Sequence, residues 1–193
     1  VPTLHLTGDD AADALLSADP FALLVGMLLD QQVPMEVAFA GPAKLRDRLG
    51  TLDLRALADL PVDELEAACR RPPAVHRYPA AMAARIQSLA AHVVETYDGD
   101  AAAIWTSGTP DAAEVLRRLA ALPGFGPQKS RIFLALLGKQ AGVDVPGWRA
   151  AAGPYGEDAV FRSVADVVDA DSLARVRETK RAAKAAAKAP RGG

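Results

Sequence analysis

Two glycines separated by one residue, Gly124 and Gly126, stand inside RLAALPGFGPQKSRIFLAL, the stretch from Arg118 to Leu136. One apolar-periodic segment ends at Leu122 and another opens at Pro127, a residue suited to the first helical position because its missing N–H has no partner there anyway. Glycines at i and i+2 permit a tight hairpin between the two. Pairs of backbone N–H groups at the hairpin and at the new helix's N-terminus then face outward, a nest that holds an anion such as a phosphate. The plainer reading of these residues is a helix corner ended by a Schellman-type glycine. Other chemistry is sparse. Cys69 is the single cysteine, and His5, His76 and His92 lack the spacing of metal ligands, so this chain alone supplies no disulfide, zinc site or iron–sulfur site.

The elements that must position the hairpin are helices, because apolar residues recur at three and four rather than at two. Asp19-Pro20 is an N-cap and first-turn pair for a helix from about Pro20 to Gln32 that is apolar on nearly every side, as a central helix is. Pro34 opens a helix through Leu49. Pro61 opens another, with Asp63 and Glu64 in its first turn and Arg70 and Arg71 in its last, the arrangement that complements the helix dipole. Pro79 to about Tyr97 keeps Met82, Ile86, Leu89 and Val93 on one stripe, and Gly99 ends it. Further helices run from Thr109-Pro110-Asp111 to Leu122 and from Pro127 to about Gly138. Val143 to Asp158 is rich in glycine and proline and is irregular for part of its length, with a helix expected to start near Glu157 or Asp158. No segment alternates as a strand, so the fold class is all-α.

The chain has 193 residues, 50% hydrophobic and 24% charged, enough for one core or two small adjoining ones. Its net charge of -2 hides two unequal parts. From Arg175 onward seven Lys or Arg face the single acid Glu178, a balance of +6, which leaves -8 for residues 1–174. That division suggests a helical domain over 1–174 and a basic Ala/Lys-rich tail over 175–193, expected to be mobile because no apolar stripe docks it. No basic stretch followed by an apolar run opens the sequence, and no apolar run reaches the roughly 18 residues of a membrane span. The expectation is a soluble, cytoplasmic, nucleoid-associated monomer with no membrane partner.

The residues Leu119, Leu122, Pro123, Gly124, Phe125, Gly126 and Ser130 match the helix-hairpin-helix pattern hxxhPGhGxxxS, with the motif over 119–133. Eighteen residues beyond Gly126, after an apolar helix and the turn LLGKQAGVD, stands Asp144. Upstream, LLVGMLLDQQVPMEVAF resembles a buried helix that ends in a glutamine-containing turn. Together these matches span about Phe21 to Ala150 and resemble the helix-hairpin-helix, Gly/Pro, Asp (HhH-GPD) superfamily of base-excision DNA glycosylases. The fold so implied is two-lobed and helical, with a DNA-binding cleft between the lobes.

The resemblance implies roles residue by residue. Asp144 would be the carboxylate that stabilises the oxocarbenium-like state formed when a base leaves its sugar, and would position the attacking water; its plainer reading is a helix N-cap. The position of the Schiff-base lysine of strand-cutting members holds Gln128, which implies a monofunctional enzyme. Lys129 follows one residue later, a helical step of about 100° away, and serves as a nucleophile only if the register shifts; otherwise it faces solvent or a phosphate. Gly124, Phe125, Gly126, Lys129 and Ser130 would bind DNA, Gln31 or Gln32 would fill the gap left by an extruded base, and Trp148 and Tyr155 are candidates for the base pocket. The glutamines could equally be a polar helix end, and the aromatic residues core.

The same resemblance places the chain with members free of an iron–sulfur cluster and implies a monovalent cation held by carbonyls around Leu122 to Phe125. The implied partner is double-stranded DNA with a damaged base. An acidic body opposes DNA binding unless cations gather on one side, and Arg46, Arg48, Arg117, Arg118, Lys129 and Arg131 flank the motifs as candidates for that side. Two other readings stay open: a non-catalytic helix-hairpin-helix DNA-binding protein, and a helical protein whose hairpin contacts another protein.

Overall fold

The computed structural model describes residues 3–190, which form helices and loops with no strand among them. The first six helices are α1 (Asp10–Ala18), α2 (Pro20–Leu29), α3 (Met35–Leu49), α4 (Leu54–Asp59), α5 (Val62–Arg70) and α6 (Pro79–Tyr97). They are followed by α7 (Ala103–Thr106), α8 (Ala112–Ala120), α9 (Pro127–Lys139), α10 (Trp148–Ala151) and α11 (Ala170–Lys188), with 3-10 turns at Gly153–Gly156 and Val164–Asp166. Aspartates start several of them. Asp9, Asp19, Asp53 and Asp111 each accept a hydrogen bond from a first-turn N–H, and each such cap contributes about 1 kcal/mol.

The helices fall into two lobes. In the first, α2 packs on α1, α3 and α6, while α6 carries α4 and α5; in the second, α9 packs on α8, α10 and both 3-10 turns, and α11 on the second turn. One apolar core runs through both. From Phe21 to Leu29 α2 is buried throughout, its Phe, Leu, Val and Met side chains each contributing about 1.5–3 kcal/mol relative to exposure, which is why this helix shows almost no polar face. Its crossing with α3 is close because a glycine stands on each side: a Cβ at Gly26 would meet the Phe39 ring at 2.5 Å, and one at Gly41 would meet the Leu29 side chain at 2.5 Å.

Two expectations change here. The helix anticipated near Glu157 starts at Ala170 instead, where Asp169 and Ser172 form a reciprocal capping box. Before it, Ala159 takes a left-handed φ of 55°, and the Asp166 carboxylate draws in the N–H groups of Arg162 and Ser163, so the chain folds into a 3-10 turn. The expected boundary at 175 falls inside α11, which continues as helix to Lys188. Residues 191–193, the end of the expected basic tail, lie outside the described residues.

Gly26→Ala is expected to destabilise the protein by about 1–3 kcal/mol, because Phe39 is fully buried and cannot yield. Urea unfolding of the variant beside the wild type reads this directly.

Candidate nucleic-acid interface

The hairpin forms where the glycines require it. Gly124 adopts φ 80°, a conformation that favours glycine, and a Cβ there would collide with Leu28 of α2. Phe125 donates its N–H to the Leu122 carbonyl at 3.1 Å, and Ser130 donates its hydroxyl to the Gly126 carbonyl at 2.9 Å. The N–H groups of Gly124, Gly126, Gln128 and Lys129 have no backbone acceptor among the described residues. These are the donors an anion would meet.

The side chains sort differently from the expectation. Phe125 is buried edge-to-face against Phe133 with ring centroids 6.0 Å apart, and Ser130 is buried beneath the loop, so these two act on the hairpin's shape and offer a ligand only their backbone. Gln128 points outward and donates to the Tyr155 hydroxyl at 2.9 Å, bringing two expected site residues together. Trp148 is not available as a base platform. Only 7% of it is exposed, its ring covers Gly138, and the Arg149 guanidinium lies over its face at 4.6 Å. Tyr155 is half-buried beside Gln128.

Lys129 does not face solvent. Starting α9 at Pro127 turns it into the seam between the lobes, where its ammonium donates to the Leu28 carbonyl near the C-terminus of α2 at 3.0 Å. That carbonyl is one of the last four of its helix and needs a donor, and a cation there also complements the helix dipole. Burial pushes the Lys129 amine down to about 8, against the pull of Asp30 and helped by Arg85. Asp30, 10% exposed, caps the same helix end; burial raises its carboxyl above the usual range while Lys180 of α11 and Lys129 draw it down. The charged centre of the seam is thus Asp30, with Lys180 at 3.9 Å and Lys129 nearby, and the exposed Arg85 adds positive charge at its edge. Spacing along the chain gave no sign of Asp30, Arg85 or Lys180 in this place.

The glutamine turn follows at once, and its two residues diverge. Gln31 turns inward, its amide 3.6 Å from the Met82 sulfur, while Gln32 is exposed in a left-handed conformation with φ 57°. His76 holds the turn. Its Nδ1 accepts the Tyr78 N–H at 3.1 Å, which leaves the proton on Nε2 to be donated to the Gln31 carbonyl at 2.8 Å. A buried histidine with both nitrogens satisfied looks in sequence like an isolated one, and only the fold shows it as a latch.

Asp144 lies on the segment from Ala141 to Gly147, which is pinned by Val143 N–H to the Leu137 carbonyl and by the Pro146 carbonyl to Ala112 N–H, each at 3.1 Å. Its own side chain is exposed and has no hydrogen-bond or ionic partner among the described residues. Gly147, not Asp144, precedes α10, and no side chain caps that helix. The N-cap reading of Asp144 therefore fails.

Part of the expected basic side is committed to structure, while Arg131 is exposed with no carboxylate partner among the described residues. Arg117 and Arg118 both bind Glu114, whose carboxyl they hold down at about 2, and Arg118 also caps the α7 carbonyls. Arg48 donates to the Ala68 and Pro73 carbonyls at 2.7 Å each, and Arg46 lies 3.9 Å from Asp47. Among the described residues no three His, Cys, Asp or Glu stand together as a metal site, and burial pushes the Cys69 thiol up to about 12.

The half-buried Lys129 sets a pH dependence. Its folded pKa lies below the unfolded value of 10.5, so between about 8 and 10.5 the unfolded chain binds more protons and stability rises with pH; below 8 the burial penalty is fully present. Lys129→Met is expected to flatten that rise, measured by urea unfolding at about pH 7.5 and about pH 9.5.

Comparison with known proteins places the chain. A solved structure of a trapped endonuclease III–DNA covalent intermediate in an estranged-adenine complex is similar at 20% identity and a TM-score of 0.43, covering 64% of this chain and 54% of that one. The chain thus spans about half the length of that protein. No curated protein matches it. The model of the family described as HhH-GPD superfamily base excision DNA repair protein matches residues 25–189, most of the chain and all of the hairpin, the seam and Asp144. The chain belongs to the HhH-GPD superfamily of base excision DNA repair proteins.

Proposed function

We propose that this protein is a monofunctional DNA glycosylase that hydrolyses the N-glycosidic bond of a damaged base in double-stranded DNA, with Asp144 as its catalytic carboxylate. The observation that carries this reading is the state of Asp144: a carboxylate on a pinned segment, with no capping, ionic or hydrogen-bonding task in the fold. As the C1′–N bond breaks, the electron pair leaves with the base and positive charge grows at the anomeric carbon. A carboxylate held beside that carbon stabilises the charge and orients the water that adds there, whose proton passes to solvent or to the departing base. The hairpin N–H groups would hold a phosphate of the same strand. Gln32, already displayed outward in a left-handed turn, is better placed than Gln31 to enter the stack when the base swings out.

One observation favours a second reading. The Lys129 amine, lowered to about 8 and half-buried in the seam, has the character a Schiff-base nucleophile needs. Against it stands its bond to the Leu28 carbonyl, a structural task that occupies the amine.

The test is release of a base from duplexes each carrying one lesion: alkylated purine, uracil, oxidised pyrimidine, oxidised guanine or mismatched adenine. Wild-type protein is expected to yield strand cleavage only after alkali, and Asp144→Asn is expected to lose release by at least about 100-fold while binding DNA as before. A borohydride-trapped complex lost in Lys129→Met would establish the lyase reading. Binding of DNA with no base released from any duplex would leave a non-catalytic DNA-binding protein.

A further inference from the structure

The net charge of the chain divides sharply, and α11 carries the positive share. Arg177, Lys180, Arg181, Lys184 and Lys188 stand at i, i+3, i+4, i+7 and i+11, one stripe of the helix, while Ala182, Ala183, Ala185, Ala186 and Ala187 fill the remainder of its last turns. The stripe is fixed in place. At its start Asp169 and Ser172 cap the helix, Val176 is fully buried, and the Arg175 guanidinium lies over the Phe161 ring at 4.9 Å. Farther along, Arg177 pairs with Glu36 of α3 and Lys180 lies 3.9 Å from Asp30, so α11 from the second lobe crosses the α2–α3 turn of the first.

A groove of about 630 Å³ follows that crossing, with Val33, Pro34 and Met35 on one wall and Arg177, Lys180, Arg181 and Lys184 on the other. Val33 is the residue after Gln32, so the groove begins at the exposed glutamine. Arg181 and Lys184 are exposed and have no carboxylate partner among the described residues. Several other cations near the motifs serve carbonyls and carboxylates of the fold. Arg131 and Arg85 are exposed without a carboxylate partner among the described residues as well, but on α11 four cations line one groove opposite an apolar wall, and there Arg181 and Lys184 are the free ones.

We infer that α11 is a backbone clamp: the groove between α11 and the α2–α3 turn takes the phosphodiester backbone of the DNA strand flanking Gln32, with Arg181 and Lys184 contacting its phosphates. From Arg177 to Lys188 the stripe extends roughly 16 Å at 1.5 Å per residue, the rise of about five nucleotides of one strand. A regular polyanion lies along a continuous row of cations, and contact with it supplies to an otherwise acidic protein the counterion release on which DNA affinity depends. The clamp reads no sequence and no lesion; it holds the duplex in register for the glutamine turn. The inference rests on the DNA reading above and on neither catalytic role.

The experiment compares Arg181→Ala/Lys184→Ala with wild type in a salt titration of binding to an undamaged duplex and to one bearing a tetrahydrofuran abasic-site analogue, from which no base can leave. Alanine suits an exposed helix position, so the variant keeps the fold. The slope of log affinity against log salt is expected to fall by about 1.8 units for two lost phosphate contacts, with affinity roughly 10- to 100-fold weaker at low salt. Arg70→Ala/Arg71→Ala, an equal loss of charge outside the groove, is expected to keep the wild-type slope. An unchanged slope in the α11 variant overturns the clamp, and it does so even where the wild type releases a base and the glycosylase reading stands. A reduced slope with no base released from any lesion supports the clamp while the glycosylase reading falls. Preferential binding of a glutamate-rich peptide, with DNA affinity unchanged in the variant, also overturns it.

Discussion

The helix α2 ends inside the protein, and its last carbonyls and the Asp30 carboxylate have to be compensated there. Lys129 meets the first need and, with Lys180, draws on the second. Each cation comes from a different element of the second lobe, one from the helix that follows the hairpin and the other from α11. A single buried helix end is thus what ties the hairpin, the glutamine turn and the basic helix to one place. Removal of those cations would leave the buried Asp30 carboxylate and the Leu28 carbonyl without their partners.

Electrostatics then separates structure from function. Several arginines near the motifs are consumed: Arg118 by Glu114 and the end of α7, Arg48 by two loop carbonyls, Arg149 by Asp158 and the Trp148 face, while Arg131 and Arg85 stay exposed. What remains unengaged is different in kind. Asp144 offers a carboxylate with no task in the fold, the hairpin offers N–H groups with no acceptor, and Arg181 and Lys184 offer charge along an open groove. Groups left unsatisfied by the fold are the ones a ligand can satisfy, and the hairpin N–H groups and the α11 cations are of the kind that a phosphodiester satisfies.

The helical class, the hairpin and the fully buried α2 were legible in the chain because local rules govern them. Proline and aspartate mark helix starts whatever the surroundings, a Gly-x-Gly between apolar helices needs a left-handed residue, and an all-round apolar helix has nowhere to go but the core. Asp144 was singled out in the chain by its distance from the hairpin in a resembling family, and its role belongs to the proposal. The irregular stretch before α11 was not. Its capping box at Asp169 and the competing pull of the Asp166 carboxylate are local, yet which of several Asp and Ser residues captures an N–H depends on the turn that the second lobe imposes.

The sequence by itself determined that this is a helical protein of the HhH-GPD kind, with a hairpin able to hold an anion and an acid at a set distance beyond it. Tertiary structure alone decided the direction of side chains at the seam. It turned Lys129 inward and Gln128 outward, sent Gln31 to Met82 and left Gln32 exposed, buried Trp148, and brought α11 across the glutamine turn. The physical reason is range. Helix starts, turns and periodicity are set by interactions within a few residues, whereas Lys129 and Leu28 are separated by 101 positions, and their pairing exists only because two lobes close on one helix end.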